Sequence, residues 1–203
     1  MYRFFKRFFD FLSSLVLFLA ISPFFVIICL VVLIKMGHPI FFTQCRTTKK
    51  GKTFRLIKFR SMTNKKDSNG DLLPDEQRMT KFGKWLRATS LDELPELLNI
   101  IAGNMSVIGP RPFPPTYNDY YKESEKGRFK VRGGLIPPEV LYNDIQPTWD
   151  NQLKYESEYG NNLSFKLDLK IFFKTVKGIF KRYKNDYGEY VRQPLDIERK
   201  KQK

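Results

Sequence analysis

Between Asp10 and Lys35 the chain carries no charge. Phe11 to Ile34, FLSSLVLFLAISPFFVIICLVVLI, is 24 residues built mostly of Leu, Ile, Val and Phe. As a helix rising 1.5 Å per residue it would run about 36 Å, enough to cross a hydrocarbon core of about 30 Å. A cleaved signal peptide fits poorly, because the apolar region is too long and no A-x-A site follows it. The expectation is a membrane-bound chain.

Whether the segment crosses is a separate matter. Arg3, Lys6 and Arg7 flank one end, and every charged side chain from Lys35 to Lys66 is basic, with Asp67 the first acid. Cytoplasmic flanks are the ones that collect Lys and Arg, so basic residues on both sides conflict with a simple crossing. Ser22-Pro23 sits near the middle. A proline there removes a helix hydrogen bond and bends the helix, while the serine hydroxyl can re-satisfy the freed carbonyl. A kinked helix that enters and leaves by one face resolves the conflict; a single span with a tolerated proline is the alternative.

Composition narrows the rest. The 203 residues suit one domain with an appendage, and at 42% hydrophobic the chain is not disordered by composition. Two cysteines and one histidine (Cys29, Cys45, His38) make a disulfide framework or a Cys/His zinc site improbable. No G-x-G-x-x-G occurs, which argues against Rossmann-type hydride transfer. Thirty-six Lys and Arg against 21 Asp and Glu, a net charge of +15, imply an anionic partner: nucleic acid, lipid headgroups or a phosphorylated substrate.

The pattern predicts an α+β, mainly α fold. Pro39 to Gln44 and Thr53 to Phe59 read as the two strands of a small hairpin with its turn at Lys49 to Lys52. Asn64 to Asp75 reads as a loop, and Glu76 to Leu86 has helical spacing. In Thr89 to Gly103, Leu91, Leu94, Leu97, Leu98 and Ile101 share one helical face and Gly103 is a stop. Ser90 and Glu93 have the spacing of a capping box, although Pro95 lets Asp92 serve equally as the cap. Phe165 to Phe180 alternates apolar residues with lysines, the pattern of a helix that lies among headgroups or packs on a core with a solvated face. Glu198 to Lys203 reads as a disordered charged tail. The expected organisation is a membrane helix over 1–36, a catalytic domain over 37–185 and a charged tail over 186–203.

Three segments could carry chemistry. Asp92 and Glu93 fall at a helix N-terminus, where the dipole keeps a carboxylate ionised and able to attack phosphorus; ordinary capping explains acids there equally. Arg87 lies five residues upstream. In Gly109-Pro110-Arg111-Pro112 the rigid backbone presents Arg111 with little freedom, which suits bidentate phosphate binding or is simply a tight turn. Lys58 and Arg60 stand at the second strand's exit, and Asp168 stands among lysines, free to bind a metal or pair with one of them.

KFRSM (Lys58 to Met62), RATSLDELPELLNIIAGNMSVIGPRP (Arg87 to Pro112) and LSFKLDLKIFFKT (Leu163 to Thr175) follow in order behind FKRFFDF and the Ser-Pro pair. Together they resemble the bacterial sugar transferase family, in particular its small monotopic phosphoglycosyl transferases. The resemblance runs from about Tyr2 to Arg182. It implies transfer of a phosphosugar from a UDP-sugar to polyprenol phosphate with release of UMP, a Mg²⁺ requirement, and a place at the start of lipid-linked glycan assembly on the cytoplasmic face of the bacterial inner membrane.

By the same resemblance Asp92 would form an aspartyl-phosphosugar intermediate and ligate the metal, with Glu93 positioning groups around it. Lys58, Arg87, Arg111 and Asp168, with Arg60 beside Lys58, would form the substrate-binding set, and Ser22-Pro23 would break a re-entrant helix. Anionic lipids are further expected partners, and family habit favours an N-acetylated amino sugar. A departure occurs where the family reads R-P-G-x-T-G-[LW]-A-Q: this chain has Arg132 to Val140, RGGLIPPEV, with Tyr142-Asn143-Asp144 in place of an Asn-Gly-Arg segment. That departure bears on the sugar rather than on the reaction. A membrane-tethered nucleic-acid binder lacks any helix-turn-helix, finger or RNP signature. An inactive scaffold would have little use for the intact acids and arginines.

Overall fold

In the computed structural model the uncharged segment lies within one long helix, α1 (Tyr2–Met36), with Pro23 inside it. Residue 23 cannot donate to the carbonyl four positions back, which belongs to Leu19, and the Ser22 hydroxyl donates to that carbonyl instead at 2.8 Å. The serine therefore does what its place before the proline suggested. The structure describes residues 1–142, 148–182 and 192–200, with side chains described to 178 in the second stretch. Asn143 and Asp144, the side chains of Ile179, Phe180, Lys181 and Arg182, and the 185/186 boundary lie outside the described residues.

After α1 come β1 (Phe41–Thr47), β2 (Thr53–Phe59), α2 (Asp75–Arg78), α3 (Lys81–Ala88), α4 (Glu96–Ile101), β3 (Met105–Ile108), β4 (Gly133–Ile136), α5 (Trp149–Asn161), α6 (Phe165–Arg182) and α7 (Leu195–Lys200). Helix predominates, with two small two-stranded sheets, β1 with β2 and β3 with β4. Two units divide the chain: a smaller one of Phe11–Gln44 and Arg55–Ala102, and a larger one of Met1–Asp10, Cys45–Phe54 and Gly103–Lys203.

The smaller unit is built on the second half of α1. Phe25, Ile28 and Val32 lie on one helical face and bury with Phe59 of β2 and Leu86 of α3. Each such side chain contributes about 1.5–3 kcal/mol. The Phe59 ring is 4.9 Å from that of Phe25 and 5.5 Å from that of Phe41. The opposite face of α1 stays uncovered: Val26, Ile27 and Leu30 are each more than half exposed. By length and composition α1 is long and apolar enough to cross a membrane.

Sequence periodicity mislocated several boundaries. The expected helix over Glu76 to Leu86 is two helices, because Met79 is extended and pairs with Met62, and the Thr80 side chain caps α3 by accepting from the Gly83 amide at 2.9 Å. The capping box at Ser90 and Glu93 does not form. Ser90 has φ 56° and makes no side-chain cap bond; a single 3-10 turn holds Leu91–Glu93, and α4 begins only after Pro95. Gly103, at φ +83°, ends the helix as its lack of a Cβ allows.

In the larger unit β3 and β4 pair in parallel, Met105 with Gly133 and Ile108 with Ile136. Phe113, Tyr121, Trp149, Leu153 and Leu195 form one core, and Ile108, Val131, Tyr159 and Ile171 form another. α6 takes a middle course between its two expected roles. Ile171 and Asp168 are buried, while Phe165, Leu169, Phe172 and Phe173 are exposed beside Lys166 and Lys170. The reading of Glu198 onward as a disordered tail is corrected for Glu198 to Lys200. They belong to α7, whose Leu195 is fully buried and whose Arg199 pairs with Glu125 at 2.7 Å; a charge run with a buried partner is structure rather than tail.

Candidate active site

Asp92 and Glu93 sit in a short turn that two kinds of contact fix inside the smaller unit. On either side of them Leu91 and Leu94 pack against the Phe25, Ile28 and Val32 cluster, so the long apolar helix α1 itself holds the acidic turn. Behind the turn, Asn99 of α4 clamps β2: its Oδ1 accepts from the Ile57 amide at 3.0 Å and its Nδ2 donates to the Arg55 carbonyl at 2.9 Å. The clamp brings the next residue of the strand, Lys58, onto the acids.

The Lys58 Nζ lies 2.6 Å from Glu93 Oε1 and 3.2 Å from Glu96 Oε1. Burial alone would lower the Lys58 ammonium, but Glu96 and Glu93 outweigh it and hold the group above its ordinary value. Asp92, 9% exposed, is likewise held above an ordinary surface carboxylate. Burial raises it and Glu93 adds to the rise, while Lys58 and Arg87 oppose. Arg87 is held from the side by Ser61, its Nε donating to Ser61 Oγ at 2.9 Å. The turn thus sets a carboxylate whose charge is disfavoured by burial beside two cations suited to a phosphate.

Of the predicted set, Asp92, Glu93, Lys58 and Arg87 come together here. Arg60 belongs to the same unit but faces elsewhere. It is buried, and its terminal amino groups donate to the carbonyls of Met36, Gly37 and His38 at the C-terminal end of α1. A cation on those carbonyls caps the C-terminal end of α1, so the structure does not bring Arg60 to the Asp92 turn. Glu96, buried within α4, was not foreseen. Its signal was available as the acid three positions after Glu93 on the same face.

Arg111 and Asp168 lie in the larger unit. The Gly109 to Pro112 loop is pinned through its backbone, with the Arg111 amide donating to Glu156 Oε1 at 3.1 Å and its carbonyl accepting from Arg128 at 2.6 Å. Arg128 also bonds Glu156 at 2.8 Å and the Tyr121 hydroxyl at 2.6 Å. The Arg111 side chain is left exposed. Gln152 joins Glu156 to Glu139, whose carboxyl burial and the nearby Glu156 push up to about 7. None of these five supporting residues was legible beforehand, since long-range pairing alone distinguishes them. Asp168 is buried and accepts from the hydroxyls of Tyr2 and Tyr159 and from Lys6, the last at 2.8 Å. Its partners are thus two tyrosines and the lysine of the N-terminal FKRFFDF segment, not the lysines beside it in α6.

Among the described residues no group of three or more His, Cys, Asp or Glu side chains is arranged to hold a metal. Asp92 is a buried oxygen donor beside a second carboxylate, an arrangement a divalent cation would relieve. That fits Mg²⁺, which takes one or two carboxylates and completes its shell with water and substrate phosphates.

Comparison with known proteins agrees with the geometry. The profile described as "Bacterial sugar transferase" matches residues 1–182. An uncharacterized sugar transferase, EpsL, of Bacillus subtilis is 40% identical over 86% of this chain and 86% of its own length. A UDP-glucose:undecaprenyl-phosphate glucose-1-phosphate transferase of Klebsiella pneumoniae is 36% identical over 85% of this chain but only 39% of its own length. A UDP-N-acetylgalactosamine-undecaprenyl-phosphate N-acetylgalactosaminephosphotransferase of Aeromonas hydrophila is 32% identical over 88% of this chain and 44% of its own. The chain belongs to the bacterial sugar transferase family.

Proposed function

We propose that this chain is a phosphoglycosyl transferase that moves a phosphosugar from a UDP-sugar to polyprenol phosphate and releases UMP. The carrying observation is the attachment of the Asp92-Glu93 turn, through Leu91 and Leu94, to a helix whose other face is bare and apolar. Such a turn lies where a water-soluble donor and a lipid acceptor can both reach it. The named activities of the Klebsiella and Aeromonas relatives support the same reaction class.

In the first half-reaction an Asp92 oxygen attacks the sugar-bearing phosphorus. The bond to the bridging oxygen breaks, its electron pair leaves with UMP, and an aspartyl-phosphosugar remains. In the second, a phosphate oxygen of the lipid attacks the same phosphorus and the Asp92 carboxylate is restored. Lys58 and Arg87 neutralise phosphate charge, and Glu93 holds Lys58 in place. Arg111, presented by its rigid loop, serves as a further phosphate ligand, and Asp168 acts at a distance by fixing the N-terminal turns of α1. Phosphoryl transfer asks for positioning and charge neutralisation more than for acid–base groups, which suits a site without histidine. Mg²⁺, held through Asp92, would supply charge neutralisation to the donor's diphosphate.

In this reading α1 is re-entrant at Ser22-Pro23, entering and leaving by the cytoplasmic face. α6 rests its exposed Phe165, Leu169, Phe172 and Phe173 among headgroups, with its lysines on anionic lipid at about 1 kcal/mol each. The chain acts at the first membrane step of glycan assembly.

The test is release of nucleoside monophosphate from a panel of UDP-sugars with polyprenol phosphate, including glucose and N-acetylated amino sugars. Wild type releases UMP with at least one of them and can be trapped carrying phosphosugar on Asp92. Asp92→Asn loses both; full turnover in that variant would sink the covalent route.

A further inference from the structure

The larger unit holds a second concentration of charge, separate in its residues from the Asp92 set. An open cleft of about 370 Å³ is lined by Arg3, Lys6 and Arg7 from the first turns of α1, Lys49 from the turn between β1 and β2, and Lys130 and Arg132 ahead of β4. Asp10 is the one acid among its lining residues. Even with Lys6 paired to Asp168, the lining carries more cations than carboxylates, and like charges so placed repel one another.

The individual contacts bear this out. Lys6 is satisfied by Asp168 at 2.8 Å. The Arg132 Nε donates to the Gly103 carbonyl at 2.7 Å, which anchors that side chain without neutralising it. Arg3, Lys49 and Lys130 make no ion pair among the described residues. The Lys49 ammonium is held below its ordinary value by partial burial, then by Arg132, Arg3 and Lys50. Three separated chain segments converge on this one cleft, so the crowding is a product of the fold and not of a charge run.

We infer that this cleft is a binding site for a phosphate-bearing anion, either the headgroup of an anionic phospholipid or a free phosphate or diphosphate. Guanidinium and ammonium groups from several directions are the means by which proteins hold such oxygens. The cleft opens among the basic residues that immediately precede the apolar stretch of α1, the level at which a bilayer presents its phosphates. The inference does not rest on the transferase reading, because binding is measured without turnover.

The experiment uses the full chain in zwitterionic detergent micelles without divalent cations. Calorimetry with inorganic pyrophosphate at low salt is one arm. The other counts, by phosphorus NMR, the phosphatidylglycerol retained after purification from mixed phosphatidylglycerol and phosphatidylcholine micelles. Arg3→Gln/Lys49→Gln/Lys130→Gln is expected to weaken pyrophosphate at least about tenfold or to release the bound phosphatidylglycerol. Arg3→Lys/Lys49→Arg/Lys130→Arg keeps both, which separates charge from folding. Lys65→Gln/Lys66→Gln/Lys154→Gln removes the same charge from exposed lysines outside the cleft's lining and leaves both unchanged. Loss in the lipid arm identifies a headgroup as the occupant, and loss in the pyrophosphate arm alone identifies a soluble phosphate. Binding undiminished in the cleft variant, or diminished equally in the Lys65/Lys66/Lys154 variant, or lost with Lys58→Gln instead, overturns the inference.

Discussion

At the scale of single residues, the Asp92 site is a balance of three carboxylates and two cations in a partly buried turn. Lys58 is shared by Glu93 and Glu96, so removing either acid frees it to move. Glu96→Gln deletes a buried charge-assisted bond without changing shape. It is expected to lower turnover about tenfold or more, since such bonds are worth about 1.5–3 kcal/mol, while leaving donor KM within a few-fold; UMP release at varied donor concentration reads the split. Glu139 offers a separate, pH-dependent readout. Its carboxyl, raised to about 7 from 4.5, binds a proton more tightly folded than unfolded. The sign follows: the folded state loses nothing below pH 4.5, and its stability falls as pH rises from about 4.5 through 7. Unfolding midpoints measured across that window should decline, and Glu139→Gln should flatten the slope. A wild-type midpoint that rises across the window would show that Glu139 is not buried as an acid.

At the scale of elements, two close fits matter. Gly83 of α3 lies so near Ser61 that an added Cβ would stand 1.8 Å from the Ser61 carbonyl oxygen. Since Ser61 also receives Arg87, Gly83→Ala should both destabilise the protein by about 1–3 kcal/mol and reduce UMP release. Thermal unfolding and activity of the purified variant check the two together. The second fit is α1 itself. The Ser22 hydroxyl occupies the carbonyl that Pro23 leaves open, so the helix tolerates its proline without an orphaned group. With α1 re-entrant, tags at both ends of the chain should be reachable only from the cytoplasm. An N-terminal tag labelled from outside intact cells would replace the re-entrant helix by a span.

At the scale of the whole molecule, α7 secures the larger unit. Arg199 is buried and pairs with Glu125 at 2.7 Å and Asp150 at 2.7 Å, while Leu195 fills the core of Phe113, Tyr121 and Trp149. Arg199→Ala leaves Glu125 buried without its charge partner, a change that typically costs about 3–5 kcal/mol. The expected result is a clear drop in unfolding midpoint. A variant as stable as wild type would mean that α7 is not docked in solution.

The apolar length of Phe11 to Ile34 and the order of the three motif segments were fixed by local composition, so the long apolar helix, the two strands of the first sheet and the family were legible without coordinates. The meeting of Lys58 with Glu93 could be suspected from motif order alone. Its cause, the Asn99 clamp on β2, could not, because it joins residues 42 and 44 positions apart. Periodicity likewise left the helix cap open between a capping box at Ser90 and Asp92, whereas packing of Leu91 and Leu94 on α1 drew the acids into a tight turn with Ser90 left-handed. Arg60 looked like Lys58 in sequence but meets the carbonyls at the end of α1 rather than the acids, since strand position says nothing of which partners a side chain will find. Local patterns depend on neighbours a few residues away and can be read directly. Burial, pairing and the charge crowding around Lys49 depend on segments brought together across the chain, and only the tertiary structure could decide them.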